Sequence, residues 1–246
     1  MRAIPAGACS GNNNSENIRG IVYYGSAAKI PQTKAYPTTS DCNDEPLTSL
    51  VPWVKKDVSS PVWSNYTDVG LFKNSENFFR WEFNTTSMNV SWENPTLMTI
   101  YNNEMNFTNT SGVIELPGNN QWVYFLINTT IEVTHPIHLH GHDFSILAQG
   151  TGLWNGSMIT KNPPRRDTAM LPSSGWLLIA FETNNPGAWL MHCHIGWHIN
   201  MGLALQFIEK RDEIKGLIDY KSFEKTCAAW DQYDLSQQIV QEDSGV

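Results

Sequence analysis

All seven histidines of the chain fall in two short windows, residues 135–142 and 192–198. The first reads His135-Pro136-Ile137-His138-Leu139-His140-Gly141-His142. The second reads His192-Cys193-His194-Ile195-Gly196-Trp197-His198, with Trp189, Leu190 and Met191 before it and Leu203, Leu205 and Phe207 after it. Histidines with ordinary surface or core duties scatter along a sequence, whereas ligands cluster. One cysteine among several histidines is a poor match to structural zinc, which favours several thiolates at close spacing. Two imidazoles and one thiolate with a weak or absent fourth ligand is instead the blue-copper pattern. A cysteine hydrolase built on Cys193 is a competing chemistry, but no nucleophile motif stands behind it.

Strands suit such a site, because side chains alternate between their two faces. On that period His192 and His194 share one face and Cys193 takes the other. His138 and His140 share a face, while His135 has the opposite parity. One residue can therefore join two metal sites. Further strands are predicted at residues 79–83, 96–101, 121–128, 144–149, 175–183 and 202–209, separated by Asn, Gly, Pro and Ser clusters. The apolar runs at 121–127 and 176–181 fit strands covered on both faces, or short buried helices. Many short strands favour a Greek-key sandwich or barrel. Ile214, Leu217 and Ile218 recur at helical spacing, as do Phe223, Cys227 and Trp230, which predicts one or two amphipathic helices over 212–231 packed on the core.

The two histidine windows resemble the third and fourth copper motifs of the multicopper oxidases. Together with Asn162-Pro163-Pro164-Arg165-Arg166-Asp167-Thr168, Asn185-Pro186-Gly187-Ala188-Trp189 and the terminal Asp243-Ser244-Gly245-Val246, they resemble ascomycete laccases over nearly the whole chain. The resemblance implies an all-β cupredoxin-like domain, a Greek-key sandwich or barrel with a short C-terminal helical segment and tail. It implies copper, four ions in an intact enzyme. His135, Cys193 and His198 would bind the type 1 ion, with Leu203 as a non-coordinating axial residue and Met201 out of register. His138 would bind the type 2 ion, and His140, His192 and His194 the type 3 pair. His142 is not a ligand in the family and is expected to hydrogen-bond behind one. A phenol or aromatic amine would donate single electrons at His198, which would pass through Cys193 to His192 and His194, and dioxygen would be reduced to water. Trp197 either lines the donor pocket or belongs to the core. The tail would enter a channel leading to the three-copper cluster.

Composition limits the alternatives. A content of 41% apolar and 11% aromatic residues can bury a core. A net charge of −8 and a pI near 5.3 argue against nucleic-acid partners. No apolar run reaches the roughly 20 residues of a membrane span. Asn-x-Ser/Thr acceptors at Asn13, Asn65, Asn84, Asn89, Asn106, Asn109, Asn128 and Asn155 point to secretion. The residues following Met1 carry no signal sequence. The chain therefore reads as a C-terminal fragment that lacks the N-terminal laccase domains. On this reading residues 1–24 hold the last strand of a truncated domain, with a strand at 18–24. Residues 25–60 form a connector, 61–211 the C-terminal domain and 212–246 the helical segment and tail. Setting Cys193 aside leaves Cys9, Cys42 and Cys227. The resemblance implies that Cys9 and Cys42 pair and that Cys227 finds its partner in the absent domain; a free buried thiol is the other reading of Cys227.

The resemblance implies eight histidines around the three-copper cluster, of which this chain carries four. At most the type 1 copper is then expected in the chain alone. Another multicopper oxidase, an ascorbate oxidase or a ferroxidase, is the nearest alternative. A cupredoxin that only carries electrons is a second, although it would have no use for His138, His140, His192 and His194.

Overall fold

The computed structural model describes residues 20–22, 25, 29, 30, 32, 34, 45–238 and 240–246. The chain divides into two units, residues 1–46 and 47–246. The described residues of the first unit form neither helix nor strand, and residues 20–22 are exposed. Most of the strand expected at 18–24, together with Cys9, Cys42 and Asn13, lies outside the described residues.

The second unit is a two-sheet sandwich, the all-β cupredoxin-like class expected. Its strands are β1 (Trp63–Lys73), β2 (Phe79–Phe83), β3 (Val113–Glu115), β4 (Trp122–Thr129), β5 (His135–Leu139), β6 (Phe144–Thr151), β7 (Arg165–Arg166), β8 (Thr168–Leu171), β9 (Gly175–Glu182), β10 (Gly187–Cys193) and β11 (Ala204–Glu209). One sheet runs β2-β1-β4-β9-β6-β7 and the other β3-β11-β10-β5-β8. The pairs β1–β4 and β3–β11 are parallel, and the others are antiparallel. Phe125, Ile127, Ile137, Phe144, Ile146, Leu171, Ile179, Met191 and Phe207 meet between the sheets and are almost wholly buried. Each such side chain contributes about 1.5–3 kcal/mol relative to exposure, so this layer dominates stability.

The apolar runs in β4 and β9 are strands covered on both faces. Their outer residues Trp122, Tyr124, Leu178 and Ala180 join Val58, Leu147 and Ala148 in a second cluster. Val58 belongs to a stretch expected to be connector. It is held by its N–H on the Thr160 carbonyl at 2.8 Å, and Tyr124 Oη donates to the Ser59 carbonyl at 2.9 Å. Residues 47–60 thus belong to the second unit, which begins at Leu47.

Residues 96–101 are a helix, α1 (Thr96–Tyr101), where a strand was expected. Pro95 holds φ at −63° before its first turn, and the Met98 and Thr99 N–H groups donate to the Pro95 carbonyl. Its buried residues Thr99 and Ile100 are consecutive, and Ile100 packs on Ile208 and Ile214. The β-branched composition that suggested a strand is overridden by this local start. A short helix α2 (Gly196–Asn200) follows β10; α3 (Arg211–Ile214) and α4 (Tyr220–Gln237) follow β11. The predicted stripe of α4 is not core: Phe223, Cys227 and Trp230 are only half-buried, and no residue of α4 is fully buried. Cys227 is a free thiol at this surface.

Candidate metal centre

The alternation read from the sequence holds in β5 and β10. Along β5, His135, Ile137 and Leu139 are buried while Pro136 and His138 are half-exposed. The strand pairs antiparallel with β10, setting His138 opposite His192 and Ile137 opposite Cys193. Cys193 therefore points into the core beside His135, and His192 points the other way toward His138 and His140.

On the inner side, His135, Cys193 and His198 form one buried group. Cys193 Sγ lies 3.7 Å from His135 Nδ1 and 3.6 Å from His198 Nδ1, and the two nitrogens are 3.2 Å apart. Ligand bonds of about 2.0–2.3 Å from nitrogen and sulfur close triangles of this size around a single ion. His198 arrives from α2, whose geometry is set by the Ile195 carbonyl accepting the His198 N–H at 2.9 Å. Leu203, fully buried, ties the site's backbone together: its N–H donates to the His198 carbonyl and its carbonyl accepts the Cys193 N–H.

Burial sets the charge state of this group. It pushes the Cys193 thiol up to about 11. It lowers His135 to about 4, with the neighbouring His198 adding to the effect, and lowers His198 as well. A buried thiol and two neutral imidazoles with no carboxylate among them form a soft donor set that fits copper. Trp81 of β2 is a residue the sequence reading missed. Its ring lies 4.3 Å from that of His198 and 4.9 Å from that of His135, and its backbone N–H donates to the Met201 carbonyl at 2.9 Å. No motif marks it, because β2 is remote in sequence from both windows.

The second group joins His138, His140 and His192. His140 Nε2 and His192 Nε2 are 3.2 Å apart. His138 Nδ1 is occupied by the Asp167 carbonyl at 2.7 Å and His192 Nδ1 by the Cys193 carbonyl at 3.0 Å, which leaves both Nε2 atoms for a ligand. Burial lowers His140 and His192, and neighbouring histidines contribute in both cases. His194 stands at the rim, its ring 5.6 Å from that of His192 and 5.7 Å from that of His138. His140 and His194 are exposed, so this group opens to solvent where the first is closed.

The remaining site residues are placed as follows. His142 belongs to neither group and meets Glu209 and the His140 carbonyl. Trp197 is 67% exposed beside His198, which excludes the core reading. The tail is docked: Ser244 is buried, and its N–H and Oγ donate to the Asn200 and Ile199 carbonyls of α2, both at 2.7 Å. Trp92 Nε1 donates to the Gly245 carbonyl at 3.0 Å. A cavity of about 780 Å³ is lined by none of the histidines.

The multicopper oxidase family profile matches residues 73–213. Laccase-2 and Laccase-1 of Botryotinia fuckeliana are 39% and 41% identical over 97% of this chain, which covers 42% and 44% of theirs. The crystal structure of a laccase from Botrytis aclada superposes with a TM-score of 0.80 at 38% identity, over 98% of this chain and 46% of that one. Fet3p, a multicopper oxidase that functions in iron import, superposes at 0.64 with 26% identity, over 76% of this chain and 39% of its own. The chain thus spans less than half the length of each of these relatives.

Proposed function

Because the chain belongs to the multicopper oxidase family, we propose that it supplies the electron-accepting copper site and half of the oxygen-reducing cluster of a laccase. Bound copper supplies one-electron cycling between two oxidation states, which the chain's organic groups lack. The observation that carries the reading is the placement of Cys193, whose sulfur enters one ligand group while the adjacent His192 enters the other. His135, Cys193 and His198 hold the type 1 ion in a dry pocket and exclude water from it. His138, His140, His192 and His194 hold type 2 and type 3 ions, with the remaining ligands contributed from outside this chain. His138 and His192 are oriented by the carbonyls on their Nδ1 atoms.

Trp197, exposed beside His198, lines the approach of a phenol or aromatic amine. The alternative, a ferroxidase, calls for carboxylates at that approach, and α2, which carries His198, has none. A carrier domain limited to electron transfer has no use for the second histidine group. The protein is read as a secreted glycoprotein. Asn65, Asn84, Asn106 and Asn109 line the large cavity and are exposed, as are Asn89 and Asn155, while Asn128 is half-buried within β4. No helix among the described residues is long and apolar enough to cross a membrane.

The test is phenol-dependent oxygen uptake by the intact copper-loaded protein, with Cys193→Ser as the control. The substitution is expected to remove both the blue absorption and more than 99% of the uptake. Uptake that survived it would refute the reading.

A further inference from the structure

We propose that Glu209 is a positioning residue for the His140–His192 pair, acting through His142 and Asn185; the proposal rests on the reading that this pair holds copper. Glu209 ends β11 and is fully buried. Both of its carboxyl oxygens are committed. The Asn185 N–H donates to Oε1, and His142 Nε2 lies 2.8 Å from Oε2. His142 Nδ1 in turn lies 3.0 Å from the His140 carbonyl oxygen, and Asn185 Nδ2 donates to the Gly141 carbonyl at 2.9 Å. One acid thus holds the backbone of His140, Gly141 and the side chain of His142.

The turn needs such a bracket. β5 ends at Leu139, so His140 stands beyond the ladder, exposed, with its N–H on the Leu190 carbonyl at 2.9 Å. Gly141 takes φ +73°, and a Cβ there would meet the Trp189 ring at 2.6 Å. Trp189 is itself fixed by its Nε1 donating to the Asn185 carbonyl at 2.8 Å. Burying a carboxyl group costs several kcal/mol unless its hydrogen bonds are made. An apolar residue would fill the space without that cost. What the acid adds is direction: it fixes where His140 Nε2 stands relative to His192 Nε2.

The intact protein is loaded with copper as wild type, Glu209→Ala, Glu209→Gln and His142→Phe. Three quantities are read: copper retained against a chelator, the near-ultraviolet absorption of the coupled copper pair, and the blue absorption of the thiolate site. Outer hydrogen-bond partners of metal-bound histidines typically change metal affinity by about 10–100-fold. Glu209→Ala and His142→Phe are therefore expected to weaken retention of the coupled pair at least tenfold and leave the blue band intact. Glu209→Gln is expected to restore retention, because its carbonyl accepts the Asn185 N–H and its amide donates to His142 Nε2, leaving Nδ1–H for the His140 carbonyl. If Glu209→Ala does not fold, the other two variants decide. Retention unchanged in His142→Phe, loss in Glu209→Gln as large as in Ala, or parallel loss of the blue band would each overturn the proposal. A wild type that loads the blue site but no coupled pair would instead overturn the ligand reading, and this inference with it.

Discussion

At the residue scale, the site's chemistry depends on which atoms surround the Cys193 sulfur. Leu203 is fully buried and bonded through its backbone to both Cys193 and His198, whereas Met201 is half-buried and takes its backbone contact from Trp81. If Leu203 is the axial residue of a bound type 1 ion, its hydrocarbon side chain would donate nothing to oxidised copper, so Leu203→Met is expected to lower the potential and Met201→Leu to leave it nearly unchanged. Redox titration of both variants distinguishes them; a large shift in Met201→Leu would move the axial assignment. Burial makes a second expectation. With Cys193 pushed up to about 11 and His135 down to about 4, the metal-free site at pH 7 holds a thiol and a neutral imidazole. Copper binds the thiolate, so uptake at this site should release about one proton per ion, measurable with an indicator dye, and none in Cys193→Ser. Release of two would mean that an imidazole starts out charged. The ligand types and their facing parity were legible in the sequence because a strand's period forces them. Trp81 and Glu209 were not, since each reaches the site only through tertiary packing.

At the scale of elements, two strands and one short helix carry five of the seven expected copper ligands, and His140 and His194 stand one residue past the ends of β5 and β10. The register of β5 against β10 sets which histidine faces which, and α2 returns His198 to the sulfur. The link from α2 to β11 is the narrow point. Gly202 takes φ +101°, and a Cβ there would collide with Ser87 Oγ and come within 3.1 Å of the Met88 nitrogen and the Trp81 carbonyl. Gly202→Ala is therefore expected to destabilise the domain by more than about 1 kcal/mol and to broaden or bleach the blue absorption. Thermal melts and visible spectra check it, and an unperturbed blue band at lowered stability would limit Gly202 to a folding role. Strands rich in apolar residues, such as β4, β6 and β9, were legible. β1 was not, because only Thr67 and Val69 of its eleven residues are buried. Helix α1 was misread because Thr and Ile favour strands until Pro95 and the contact with Ile208 and Ile214 outweigh that preference.

Across the whole molecule, the two ligand groups differ in closure. His135 and Cys193 are wholly buried and His198 nearly so, while His140 and His194 lie open to solvent. The tail is fastened beside them, Ser244 to the carbonyls of α2 and Gly245 to Trp92. A metal held by three converging donors in a dry pocket exchanges slowly, whereas an ion on an exposed face with part of its ligands missing is free to leave. Incubated with copper and passed through a desalting column, this chain by itself is thus expected to keep one blue ion per molecule and to lose the rest. Oxygen uptake with a phenol should stay at the level of the metal-free chain. The acid side of the same experiment is set by burial: His135 is lowered, so protons bind the unfolded state first as pH falls from about 6.5 toward 4. The metal-free domain should lose stability across that window, and bound copper should offset the loss. Metal analysis, oxygen electrode traces and melts at pH 7 and pH 5 decide the matter. Four ions per chain with turnover would show that the exposed histidines complete a cluster without help.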